Sequence, residues 1–303
     1  MKDTRVAVVQ DAPVLFDLDA TLEKIDQLLA KACESDPHLV LFPEAFISGY
    51  PRGITFGTVV GKRAPEGREM WQLYYDSSIE IGSKPFSRLQ KIVKKHGVMM
   101  VIGIIEKVSS GTLYCTVCYF HGNGELLGKH RKLKPTAAER LVWGEGSGDD
   151  LDVYDTATAK IGALICWENY MPLARTWLYR QGVELYLAPT ADYRDSWQHT
   201  MKHIAVEGRC FVLNCNQFVM QVDYPKDLPG ESLEGWPDIM SPGGSSIIGP
   251  LGQEIVAPLF DKAGILHATL SGDQLIQSKL DFDAVGHYSR PDVFQLENRS
   301  IQK

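Results

Sequence analysis

The chain has 303 residues, 44% hydrophobic and 23% charged, with a formal net charge of −7. That length supports one large domain with a generous core, and Lys and Arg spread along an acidic chain argue against nucleic acid as a partner, which needs a concentrated basic footprint. No run approaches the roughly 20 apolar residues of a membrane-spanning helix, and MKDTRVAVVQ passes from charge straight into a strand pattern, unlike a signal peptide. The expectation is a cytoplasmic protein, free of membrane and nucleic acid, whose thiols stay reduced.

In chain order, Arg5–Gln10 reads as a strand, Thr21–Ser35 as an amphipathic helix and Leu39–Phe42 as a fully apolar strand. Pro85–His96 reads as a helix and Val98–Glu106 as a strand. Leu113–His121 and Glu125–His130 flank the turn Gly122-Asn123-Gly124, a hairpin signal. After a loop the pattern restarts: strand Lys160–Ile165, helix Pro172–Gln181, strand Glu184–Ala188, helix Trp197–Gly208 and strand Phe211–Phe218. A second hairpin joins Ser245–Gly249 to Glu254–Ala257.

The halves match in order and partly in wording, LVLFPEA against LYLAPTA and RVAVVQ against KIGALIC. Two β-α-β-α-β-hairpin halves predict an α/β fold, a four-layer α-β-β-α sandwich with two pseudo-symmetric mixed sheets face to face, residues 1–303 forming a single domain. Arg52–Ser83, rich in aromatics, and the acidic, turn-rich Asp223–Gly244 fall outside the duplication and read as lids or partner surfaces. From about residue 272 the tail reads as an arm packed on this chain or another.

Of six cysteines, Cys115 and Cys118 form a CxxC. They lie in the strand-like LYCTVCYF, where residues three apart face opposite ways, and no second pair completes a zinc set. Both read as core thiols, as do Cys33, Cys210 and Cys215.

Ligands of α/β sheets gather beyond the carboxyl ends of strands. Glu44, Lys132 and Cys166 stand at or near such ends. Taken singly, Glu44 reads equally as a solvated or capping carboxylate, and Lys132, within HRKLK, as surface charge. Cys166 precedes a helix whose free N–H groups would lower a thiol pKa and host an oxyanion. His130, His199 and His203 read as weak alternatives; HxxxH without a third ligand is poor evidence for zinc. Glu168 reads as a helix cap.

At these residues the chain resembles the nitrilase branch of the carbon–nitrogen hydrolase superfamily. The resemblance runs through FPEAFISGYPRG, HRKLKPTAAERLVWGEG, ALICWENYMPLARTWLYRQGVELYLAPTAD, WQHTMKHIAVEGRCFVLNCNQF and FDAVGHYSRPDVFQL. It implies that Glu44, Lys132 and Cys166 are a catalytic triad and that Glu139 is a supporting carboxylate, with a structural ion pair as the plain alternative. It implies hydrolysis of a nitrile to acid and ammonia through a Cys166 thioimidate and thioester, with no metal or organic cofactor. An amidase or N-carbamoyl hydrolase with the same triad is the alternative, and a binding protein on the same fold a more distant one. Trp167, Tyr50 and Thr190 are candidate substrate contacts, with Tyr193 and Trp197 as further pocket walls; packed core is the competing reading for the aromatics. The resemblance also implies a homo-oligomer, dimeric or larger and extending to spirals, with Arg52–Ser83 and Asp223–Gly244 as candidate interfaces. It leaves the preferred nitrile open.

Overall fold

A computed structural model describes residues 1–301; Gln302 and Lys303, the end of the expected C-terminal arm, lie outside the described residues. The first half contains β1 (Thr4–Gln10), α1 (Leu18–Cys33), β2 (Leu39–Leu41), a small hairpin of β3 (Thr58–Val59) and β4 (Lys62–Arg63), α2 (Pro65–Ser77), α3 (Lys84–His96), β5 (Met99–Lys107), β6 (Leu113–Phe120) and β7 (Leu126–Arg131). The second contains β8 (Tyr154–Asp155), β9 (Lys160–Ala163), α4 (Pro172–Arg180), β10 (Leu185–Thr190), α5 (Asp195–Gly208), β11 (Phe211–Asn216), β12 (Phe218–Met220), β13 (Ile239–Ile248), β14 (Glu254–Phe260), β15 (Gly264–Leu270) and α6 (Gly272–Gln277).

Local chemistry explains the helices. Asp17 caps α1 by accepting from Ala20 N–H, and Leu22, Ile25 and Leu29 line its buried face. Ser83 caps α3 in the same way, and Gly97, left-handed at φ 67°, ends it.

One sheet runs β15-β1-β2-β5-β6-β7 and the other β12-β13-β11-β10-β9-β8, with β14 alongside β13. Strands β1, β2 and β5 are parallel, as are β9, β10 and β11, and each trio continues into antiparallel strands. Alternate residues then serve two layers. Val8, Leu41 and Val101 meet Ile161, Leu187 and Leu213 in a central core between the sheets. Their neighbours Ala7, Val40 and Ile102 pack under α1 and α3, and Leu164, Tyr186 and Val212 under α4 and α5. Three apolar layers between four structural ones make the α-β-β-α sandwich. Cys115 belongs to the central layer and Cys118 to the outer one.

Three features depart from the pattern. Helix α2 lies inside the aromatic segment, where strand-favouring Trp71, Tyr74 and Tyr75 obscure it; packing of Tyr74 against Phe16 and Phe56 overrides their propensity. Strand β13 begins at Ile239, well inside the turn-rich segment. Strand β15 pairs antiparallel with all of β1; only Leu266 and Leu270 point fully inward, so its apolar signal is thin.

Candidate active site

Three loops at one end of the sandwich supply the site. Glu44 follows β2, Lys132 directly follows β7, and Cys166 opens a 3-10 turn, Cys166–Tyr170, between β9 and α4. Cys166 is held at φ 50° and Ala45, next to Glu44, also at φ 50°, a left-handed conformation uncommon outside glycine. The Glu44 loop can fold down onto β5 because Gly103 lies beneath it: a Cβ there would come within 2.6 Å of Glu44 Cα and 2.3 Å of Pro43 O.

Lys132 is fully buried between two carboxylates, 2.7 Å from Glu44 Oε1 and 2.8 Å from Glu139 Oε2. Both Glu139 oxygens have protein donors: Tyr50 OH donates to Oε1 at 2.7 Å, and Thr136 N–H to Oε2 at 2.6 Å. Glu44 differs. Its Oε1 accepts from Lys132 and from the Cys115 thiol at 3.4 Å, whereas Oε2 is buried with no protein partner. Gln217 Nε2 donates to the Glu44 backbone carbonyl at 2.8 Å and fixes the loop. Thr190, the last residue of β10, donates its hydroxyl to Cys166 Sγ at 3.3 Å.

Burial sets the protonation states. It raises the Glu44 carboxyl above its ordinary range, with Lys132 acting the other way. The Cys166 thiol is pushed up to about 12 by burial and by the Glu44 charge, against the pull of Lys132. Burial opposes the Lys132 ammonium, but Glu44 and Cys166 outweigh it and hold its pKa well above normal. These shifts favour a thiol at Cys166 and an ammonium at Lys132, and make the Glu44 carboxylate a stronger proton acceptor than a solvated one.

Cys166 opens onto a cleft of about 210 Å³ that also touches Tyr50, Glu139, Trp167, Asp192 and Tyr193. A larger chamber of about 450 Å³ shares Tyr50, Arg52 and Glu139 with it and extends along Ile54, Phe56 and Trp143. Trp167 is a wall: it is 40% exposed, and its indole N–H donates to Asp192 Oδ2 at 2.8 Å. Trp197 is core instead, fully buried and bonded to Asn214. His199 and His203 are exposed on α5 and do not line the cleft. Cys115, Gln217 and Asp192 were not anticipated at the site. Strand alternation from the hairpin could have placed Cys115 inward, but nothing local marks its carboxylate partner. Among the described residues no group of three or more His, Cys, Asp or Glu side chains is arranged to hold a metal ion.

Residues 5–279 match the carbon–nitrogen hydrolase family, and the chain belongs to that family. Within it the chain is similar to nitrilases. It is 48% identical to nitrilase 2 of Arabidopsis thaliana over 96% of this chain and 87% of the relative. It is 47% identical to an aliphatic nitrilase of Sinorhizobium fredii, covering 98% and 96%, and 47% identical to a bifunctional nitrilase/nitrile hydratase of Nicotiana tabacum, covering 96% and 85%. Among solved structures, a carbon–nitrogen hydrolase from Helicobacter pylori shares the fold with a TM-score of 0.72 at 19% identity, covering 96% of this chain and 97% of that one.

Proposed function

We propose that this chain hydrolyses an organic nitrile to the carboxylic acid and ammonia, with Cys166 as nucleophile, Glu44 as general base and Lys132 as the charge that stabilises the anion. One observation carries the residue roles: a fully buried lysine bonded to Glu44 and Glu139 beside a cysteine that opens onto a solvent-connected cleft. The unpartnered Oε2 singles out Glu44 as the proton acceptor, while Glu139, occupied on both oxygens, positions Lys132.

Because the thiol pKa is raised, attack and proton loss go together. Glu44 takes the thiol proton as sulfur adds to the nitrile carbon, and Lys132 stabilises the negative charge developing on nitrogen. Glu44 passes that proton to the nitrogen, which gives the thioimidate and returns the carboxylate. Water, activated by Glu44, adds to form a tetrahedral intermediate; loss of ammonia leaves a thioester, and a second water releases the acid and restores the thiol. Expulsion of sulfur in place of ammonia yields the amide.

The reading extends to the whole chain as one catalytic domain in a homo-oligomer. Exposed Val59 and Val60 on the β3–β4 hairpin and Leu280 and Phe294 in the C-terminal arm support association. Six unpaired cysteines suit a reducing, cytoplasmic setting. No helix among the described residues is long and apolar enough to cross a membrane.

The test is ammonia and amide release over a panel of aromatic, arylaliphatic and aliphatic nitriles and their matching amides. Wild type should release ammonia from nitriles, and Cys166→Ala should lose at least about 10⁴-fold in kcat. Turnover of amides but no nitrile would replace this reading with an amidase, and activity surviving in Cys166→Ala would remove the nucleophile.

A further inference from the structure

A buried charge network stands behind the groups that meet the substrate. His130 lies between two carboxylates, with Nδ1 2.9 Å from Asp150 Oδ1 and Nε2 3.1 Å from Glu168 Oε1. Two acceptors on two ring nitrogens fit an imidazolium donating from both. Burial opposes that charge, but Glu168 and Asp150 prevail and push the His130 pKa up to about 10.

The same carboxylates also hold backbone. Asp150 Oδ2 accepts from Arg131 N–H at 3.0 Å and Glu168 Oε1 from Leu133 N–H at 2.6 Å, so the residues on either side of Lys132 are both pinned. Lys132's own N–H is bonded to Cys115 O at 2.8 Å. Glu168 Oε2 accepts from Ile165 N–H at 2.7 Å, the residue immediately before Cys166. Strand β7 lies in one sheet and β9 in the other. A single carboxylate therefore ties the backbone carrying the ammonium to the backbone carrying the sulfur, across the central layer.

We propose that Glu168, with His130 and Asp150 behind it, is a positioning device: an ionic buckle between the two sheets that sets the separation of Lys132 from Cys166. An ion triad serving stability alone could be exchanged for well-packed apolar groups at little cost. This one aims its acceptors at three N–H groups adjoining the two reacting side chains. Charge-assisted bonds of that kind are short and directional, which suits fixing a geometry. The proposal rests on Lys132 and Cys166 being the reacting pair.

The experiment compares full-length wild type, Glu168→Gln, Asp150→Asn and Cys166→Ala. It measures kcat and KM on a turned-over nitrile, the melting temperature, and the pH midpoint of Cys166 alkylation by iodoacetamide, with Cys166→Ala as the alkylation background. Glu168→Gln should lose about 100-fold in kcat with KM nearly unchanged, the scale of an ångström-sized misplacement. Its alkylation midpoint should move to higher pH, because the ammonium no longer sits beside the thiolate. Asp150→Asn, which leaves both Glu168 contacts in place, should lose about 10-fold in kcat and shift the midpoint the same way. Near wild-type kcat in both variants, or a loss that follows the melting temperature with an unmoved midpoint, overturns the proposal. Should Glu168→Gln not fold, Asp150→Asn decides by the same criteria. Activity in Cys166→Ala would instead overturn the nucleophile assignment.

Discussion

Leu39–Ala45 and Leu185–Ala191 are the same stretch of scaffold in the two halves, yet they end differently. Glu44 and Thr190 occupy matching positions, both fully buried. One carries a carboxylate to Lys132, the other a hydroxyl to Cys166. The strands beside them differ too: Gly103 on β5 lets the Glu44 loop drop onto the sheet, whereas Cys215, at the matching place on β11, stays in register opposite Pro189. After the second arm of each hairpin the first half has Lys132, buried, and the second has Asp261, exposed. On the proposed reading, duplication supplies one backbone twice but one reaction centre, with charge from the first half and sulfur from the second.

The asymmetry breaks most completely at Lys132. Lys132→Met leaves Glu44 and Glu139 buried without their cation; stability in urea should fall by about 3–5 kcal/mol, and kcat by at least about 1000-fold. Gly103→Ala should follow, because the new Cβ meets three backbone atoms of the Glu44 loop, Pro43 O, Glu44 Cα and Ala45 N. A loss of about 1–3 kcal/mol should accompany at least a 10-fold fall in kcat, roughly what a displaced base costs, whereas Cys215→Ala should leave kcat nearly untouched. Thr190→Val tests the hydroxyl, which also accepts from Asp192 N–H at 2.9 Å: kcat should drop about 10-fold, the scale of one hydrogen bond to a charged group, together with a fall in melting temperature from the Asp192 N–H left unpaired.

The smallest effect sharpens the comparison most finely. As the proposed base, Glu44 would take a proton only when ionised, so kcat/KM should fall as pH drops through its pKa. Burial raises that pKa, and the Cys115 thiol is among the contacts that lower it. Cys115→Ala should therefore move the acid limb of the pH profile upward while kcat at the optimum stays within about threefold. An unmoved limb would reduce Cys115 to packing.

The layered architecture was readable because alternate strand residues serve two cores, and runs such as Leu39–Leu41 and Leu185–Ala188 are apolar throughout. Helix α2 and β15 were not, since aromatic content and a thin apolar signal hide elements that tertiary contacts decide. Pattern alone placed Glu44, Lys132 and Cys166 at strand ends, but their roles came from resemblance. Lys132 looks like surface charge within HRKLK, although alternation puts His130 and Lys132 inward and Arg131 partly outward. Glu168 shows the limit of local reading. The cap read from its position is present, Oε2 accepting from Ile165 N–H, but Oε1 also reaches Leu133 and His130, 35 and 38 residues away in sequence.

The pairing of β15 with β1 constrains the order of assembly. The open edge of the first strand is closed by a ribbon far along the chain, Thr4 meeting Leu270. Until that ribbon emerges from the ribosome, a growing N-terminal half presents bare strand edge to its neighbours. So distant a closure belongs with slow, high-contact-order folding. Interrupted translation, more than a damaged catalytic centre, is where aggregation of this molecule should begin.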